Sequence, residues 1–484
     1  MRSFALLLAV PLLGCPASDF CTPGDHYGDR LFFVRPPSDP GPDNDTAAHA
    51  FGSIQGALDA AGGDVTATVC VAAGTYHEEL TVPANTHLLA APGRVRLRPP
   101  QARRSALPTS VDRVLLRLES DGGSILVTGL DVRGAGLCLD VTGDQRATVQ
   151  DSVIADCGVG LRARTAEVAL SNTPLTEHAV RGIDAIDSTV HVQAGSHLLR
   201  NGRPATWHAR EEAAEPPEDA GWAEGLQPGR GAIAAQGSFF EVEQITIDES
   251  DYTAAVVELD ATGFIGSELT LGAQRPAANV EGFLAGDAGG LGPLFAMKDS
   301  GLALYRVVGR TEALGLAHVT GTGAGLALEN VSWSGRLAET SDGSAGAIVS
   351  GDGDGNVVVL HSSLLGPEAA WGFDLAGGPW GLEVTNSILW GQGSARGVRM
   401  PDGAAPTLQT VLVEDPTLTG DDLITGQDPG FVDAGEGLLI PTGSPARCAG
   451  QDTASTVDLF GNPRPFSEGK APDLGAIELQ QACP

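Results

Sequence analysis

Apolar residues recur along this chain in short runs separated by glycine and small polar residues, and the runs return at a fixed interval. Leu139, Leu161 and Ile183 are 22 apart twice over (161 − 139 and 183 − 161), and Val127 with Val149 and Val168 with Val190 keep the same spacing. A smaller unit rides on that period: an apolar residue, any residue, then Asn, Asp or Ser. It reads Val149-Gln150-Asp151, Leu170-Ser171-Asn172, Leu328-Glu329-Asn330, Leu360-His361-Ser362 and Val384-Thr385-Asn386. A unit of this length cannot bury its own apolar face, whereas stacked units share one continuous core, so the pattern predicts a solenoid. Ahead of the repeats, Leu31-Phe32-Phe33-Val34 reads as an entry strand, and residues 36–45 as a loop. Phe51, Ile54, Ala57, Leu58 and Ala61 fall at helical spacing, and Gly62-Gly63 stops that helix. The repeat loosens between 200 and 300. Residues 201–230, acidic and rich in Pro and Gly, predict a loop thrown out from a coil edge, and residues 272–300 predict a second irregular excursion.

The capping helix, the strand at 65–72 and the Gly74-Thr75-Tyr76-His77-Glu78 turn resemble the opening of pectate-lyase-like β-helix proteins. The small polar residue after each buried strand likewise resembles the parallel β-helix repeat. The resemblance implies an all-β fold: a right-handed single-stranded parallel β-helix over residues 51–484 with a short N-terminal capping helix. A second resemblance lies at the other end, residues 428–484. Gly443-Ser444-Pro445-Ala446, Asp458-Leu459-Phe460-Gly461-Asn462-Pro463-Arg464 and Asp473-Leu474-Gly475-Ala476-Ile477-Glu478 are similar to the ending of bacterial surface proteins of the choice-of-anchor Q type. Cys448 stands where that pattern has an acid.

The first residues belong to targeting rather than to the fold. Met1-Arg2 precedes an apolar run, Phe4 to Leu13, that is too short to span a bilayer, which takes about 20 residues. The run ends Leu12-Leu13-Gly14-Cys15, which resembles the lipobox of bacterial lipoproteins. That implies a signal peptide over 1–14, lipidation of Cys15 and a tether over 15–50; the alternative is an ordinary secretory signal. Removing Cys15 from the seven cysteines leaves six, an even set that suits an oxidising compartment. Their positions suggest Cys21 with Cys70 and Cys448 with Cys483, each pinning an end of the rod. Cys138 and Cys157 lie 19 apart, near one coil length, and their pairing stays open. The address implied is the cell envelope, at the outer membrane.

Charge changes the picture of partners. The net charge is −32, with Lys and Arg at 29 against 61 acids. Such a surface repels nucleic acid, anionic lipid and polyuronates, and leaves neutral or cationic ligands. The only lysine within the coils is Lys298.

Catalytic signatures are sparse. Of the acid motifs of pectin-type glycosidases only an Asp-Asp occurs, Asp421-Asp422, and no lyase motif surrounds Lys298. No G-x-S-x-G, H-E-x-x-H or phosphate loop is present. Three patterns remain. Asp184 and Asp187, with Asp151 and Asp156 one coil earlier, are candidate catalytic acids, since paired carboxylates run glycoside hydrolysis. Asp352, Asp354 and Asn356 alternate with glycine as a calcium loop begins, but the run lacks the glycine and the glutamate of an EF-hand; an acidic corner is the plainer reading, and no other cofactor is implied. Trp333, Trp371, Trp380 and Trp390 fall within 58 residues and would form a platform for sugar rings if they share a face; otherwise they fill the core. Two functions therefore compete: a non-catalytic rod, lipid-anchored, that binds a glycan or a surface protein, and a glycan-active enzyme using paired acids.

Overall fold

Each coil is three short strands joined by corners. Leu137–Thr142 lies in one sheet (sheet 1), Arg146–Gln150 in a second (sheet 2) and Val153–Ala155 in a third (sheet 3). The next coil repeats this with Val159–Arg164, Glu167–Ser171 and Leu175–Thr176, each parallel to its predecessor. The computed structural model describes residues 30–36, 50–62, 65–90, 95–100, 113–119, 122–144, 146–202, 231–252, 255–272, 275–276, 293–311, 315–335, 347–366, 371–391, 396–433, 437–465 and 470–481. Over these the chain is a right-handed parallel β-helix, as the repeats predicted.

Strand alternation sends every second side chain inward. Leu116, Leu139, Leu161, Ile183, Ile233, Val257 and Phe295 form one inward row of sheet 1, in register and buried. The 22-residue pairs Val127–Val149 and Val168–Val190 are neighbours in sheet 2. Burying one such side chain is worth about 2 kcal/mol, and the rows run the length of the rod.

The corners explain the polar unit. Asp151, Asn172, Asn330 and Asn386 adopt positive φ (51°, 46°, 55° and 48°), turning the chain from sheet 2 to sheet 3 in one residue. Asn and Asp tolerate that conformation better than other side chains. In one coil the unit shifts: Leu360 pairs with Glu329 and Thr385, so His361 (φ 47°), not Ser362, turns the corner. At the corner from sheet 1 to sheet 2, hydroxyls stack between coils. Ser188 N donates to Ser238 Oγ (3.1 Å), and Thr262 N to Ser300 Oγ (3.1 Å).

The N-terminal end is closed as expected. Arg30–Val34 pairs with Ala67–Val71, and helix Ile54–Ala61 covers the first coil with Ile54, Ala57, Leu58 and Ala61 inward. Glu78, the acid of the turn motif, caps that helix: its carboxylate accepts from Ile54 N (3.1 Å), Gln55 N (3.0 Å) and the Ser53 hydroxyl (2.9 Å).

Coiling stops short of residue 484, the end that the resemblance implied. After Ile424–Thr425 the chain turns back as a strap along the corner between sheets 2 and 3. Leu438 N donates to Ser332 Oγ (2.8 Å), Ala476 N to Ser363 Oγ (3.0 Å) and Gln451 N to Asn386 Oδ1 (2.9 Å). The acids and arginine of the C-terminal motif converge in a buried node. Arg464 donates to Gly475 O (2.7 Å), Asp473 O (3.2 Å), Asn330 Oδ1 (3.2 Å) and Glu478 (3.4 Å). Asp458 accepts from Phe460 N and Glu478 N, and Asp473 from Cys448 N and Leu479 N. The motif therefore holds a strap together.

Two further differences concern loops and sulfur. Phe295–Lys298, within the span expected to be irregular, is a regular strand of sheet 1 between Val257–Asp260 and the next coil. The rest of that excursion (277–292), most of 201–230, the signal peptide and Cys15 lie outside the described residues. Cys138 and Cys157 form a disulfide with Cα atoms 5.8 Å apart. Cys70 and Cys448 are also disulfide-bonded; their expected partners, Cys21 and Cys483, lie outside the described residues.

Candidate functional site: a depression on the outer face of sheet 1

Outward positions on sheet 1 stack as strictly as inward ones. Asp184, Ala234, Glu258, Ala296 and His318 form one outward row over five successive coils. Ile186, Gln236, Asp260, Lys298 and Thr320 form the next. The two alanines leave the sheet bare where their neighbours carry long side chains, and the result is an open depression of about 510 Å³. Its floor is apolar, with Ala234, Ala296 and Met297, and its margins are polar.

The margins are internally paired. Arg181 Nη1 donates to Asp184 Oδ1 (2.8 Å) from a nearly buried position, fixing that carboxylate against the sheet. Lys298 Nζ lies 3.5 Å from Asp260 Oδ1. His318 Nδ1 is 2.8 Å from Ser350 Oγ, and Thr320 Oγ1 donates to Met297 O (3.1 Å). Coils stack about 4.8 Å apart, so Asp184, Glu258 and His318, on alternate coils, follow one another at intervals of about 10 Å along the rod. The depression thus offers donors and acceptors at regular intervals above an apolar floor. That combination recognises hydroxyl groups and the apolar faces of sugar rings.

Of the sequence candidates only Asp184 lies here. Asp187, three residues on, turns the corner (φ 49°) and lines a separate hollow with Arg146, Glu167 and Thr189, so the two acids do not face one substrate position. Asp151 accepts from Asn172 Nδ2 at the corner between sheets 2 and 3 (2.8 Å), and Asp156 pairs with Arg133 beyond sheet 3 (3.4 Å). Positions three apart share a face on a helix but not where a one-residue corner intervenes. The tryptophan platform does not form either. Trp333 (1% exposed) and Trp380 (4%) point into the core, Trp333 over Gly309 and Gly335. Trp371 is half-buried on sheet 1 with Arg399 above it (6.0 Å), and Trp390 packs against the strap beside Ile388 and Ile440. Asp352, Asp354 and Asn356 follow one another along strand Ala347–Leu360 as it rounds the corner from sheet 1 to sheet 2, with Asp354 accepting from Gly323 N. Among the described residues no group of three or more His, Cys, Asp or Glu side chains converges as a metal site. No described helix is long and apolar enough to cross a membrane.

Arg181, Glu258, Asp260, Lys298 and His318 were missed. Except for Arg181, their signal was present as outward i, i+2 positions beside buried ones, but 28 and 16 intervening residues (203–230 and 277–292) hide the register from sequence spacing.

No family model matches the chain, and no curated protein matches it. Among solved structures it is similar to a pectate lyase (13% identity, TM-score 0.42), over 93% of this chain and 97% of that one. A surface adhesin of Streptococcus pneumoniae matches at 11% identity and TM-score 0.36, over 85% and 98%. The A-module of a mannuronan C-5 epimerase of Azotobacter vinelandii matches at 13% and 0.34, over 78% and 100%. Likeness this remote assigns the chain no activity.

Proposed function

We propose that this is an exported envelope protein, anchored through a lipidated Cys15 at the outer membrane, whose sheet 1 depression binds a neutral glycan without turning it over. The observation that carries the reading is the bare sheet at Ala234 and Ala296, one coil to either side of Glu258, with the neighbouring charges of Asp184 and Lys298 paired within the protein. Arg181 engages Asp184 and Lys298 engages Asp260, so the mouth presents hydrogen-bonding groups rather than a field for a polyanion. The net charge of −32 works against polyuronates in the same direction. Asp184 and Asp187 line separate hollows, which favours binding over the enzymatic alternative.

Isothermal titration with a panel of neutral and uronate oligosaccharides tests this. A neutral oligosaccharide should bind to the wild type. Glu258→Gln should weaken it about tenfold, the loss of one hydrogen bond to a charged group at about 1.4 kcal/mol. Ala296→Leu, which fills the floor, should weaken it more. Binding restricted to polyuronates, or release of reducing ends from any oligosaccharide, refutes the reading.

A further inference from the structure

Sheet 2 carries an apolar platform on its outer face, on a different side of the rod from the depression. Of the eight large apolar side chains exposed among the described residues, four stand on it: Phe239 (39%), Ile265 (37%), Tyr305 (38%) and Val358 (43%). Register places Ile265, Ala303, Ala327 and Val358 in one outward row over four coils, about 14 Å long at about 4.8 Å per coil. Phe239, Gly263, Gly301 and Gly325 form the adjoining outward row.

Nothing local requires two of those glycines. Gly301 and Gly325 have no positive φ, and a Cβ on either would meet no atom within 4 Å. Glycine weakens a strand interior, yet neighbouring coils keep these positions bare in the middle of an exposed apolar face. Their effect is a level floor running from the Phe239 ring, which lies over Gly263, to the exposed Asn356 on the coil after Gly325.

Carboxylates frame the platform. Glu241 precedes Ile265 in its row and Glu383 follows Val358, while the third outward row holds Glu243 two coils before Tyr305 and Glu329 on the coil after it. Glu241 lies 3.0 Å from His191, and Glu329 interacts with the Arg464 charge. A second copy of the chain would bring carboxylates against carboxylates on a molecule of charge −32. A peptide anchors its large side chains in pockets, and a level sheet face has none. A flat ring carrying positive charge matches both features. We infer that this face binds an amine-bearing glycan, its sugar faces stacking on Phe239, Tyr305 and the glycine floor and its ammonium groups meeting the rim carboxylates.

The test is titration at pH 6 and low salt with a β-1,4-linked glucosamine hexamer, its N-acetylated counterpart and a hexalysine peptide. The glucosamine hexamer should bind, the acetylated one at least tenfold more weakly, and affinity should fall as salt rises. Phe239→Ser and Gly301→Val should each weaken binding at least tenfold. Gly301→Val enters open space at negative φ, so its melting temperature should not fall, which separates a blocked face from a damaged fold. Equal affinity of wild type and Gly301→Val overturns the inference. So does hexalysine binding at least as tight as that of the hexamer, or a dimer in sedimentation that Phe239→Ser dissociates.

Discussion

Replacing Arg464 with methionine should release the strap and leave the coils intact. The guanidinium is fully buried and donates to Gly475 O (2.7 Å), Asp473 O (3.2 Å) and Asn330 Oδ1 (3.2 Å) beside Glu478 (3.4 Å). Burial pulls its pKa down, and the charges of Glu478, Asp458 and Asp473 act the other way. Methionine keeps the volume but strands a buried carboxylate and three acceptors, and breaking a buried pair from one side costs about 3–5 kcal/mol. That cost falls first on the strap because Arg464 and its partners Gly475, Asp473 and Glu478 all belong to it, whereas the coils meet it through separate contacts that include Asn330, Ser332, His361, Ser363 and Asn386. Solenoids unfold in parts, since each coil depends on its neighbours alone. Native-state hydrogen exchange reads this residue by residue. The amides of Gln451, Gly475 and Ala476 should lose protection by about two to three orders of magnitude, while those of Leu161 and Ile183 keep theirs. Unchanged exchange in the strap, or equal loss along the whole rod, would refute the reasoning.

Acid should loosen the molecule through two buried histidines. Burial pulls His178 down to about 4, against the Asp156 charge, and pulls His361 down to about 3, helped by the Arg464 charge. Both are held neutral in the fold, so the unfolded chain binds more protons below its own value of 6.5. Stability therefore falls as pH drops from about 6.5 toward 4 and 3, by about 2 kcal/mol per histidine at pH 5; a His361→Gln variant whose denaturant midpoint follows the wild type at every pH would contradict this. Cys15→Ser should move the protein out of the membrane fraction or leave it unprocessed at higher mass, and identical fractionation would show a signal of another kind. Non-reducing peptide mapping should find Cys448 joined to Cys483 and Cys21 to Cys70; free thiols at Cys21 or Cys483 would exclude the pairs.

The fold was legible because its periods are short and local. Leu139, Leu161 and Ile183 repeat without insertion, and Asp151, Asn172, Asn330 and Asn386 mark corners by a conformational preference their own side chains supply. Trp380 was legible too, since it alternates with Leu382 and Val384 and so points inward with them. Trp333 was not, because the one-residue corner at Asn330 resets the alternation before it. The same resetting separates Asp184 from Asp187. The strap node joins residues 330 and 464, and no spacing rule reaches that far. The depression needed register across intervening segments of unequal length, which only the stacked coils supply.

The account rests most directly on where a glycan sits. A crystal structure with the tightest-binding neutral oligosaccharide should show it on sheet 1, its rings over Ala234 and Ala296 and its hydroxyls bonded to Glu258 and Asp260. An intact sugar bound elsewhere on the rod, or a cleaved product in the depression, would contradict it.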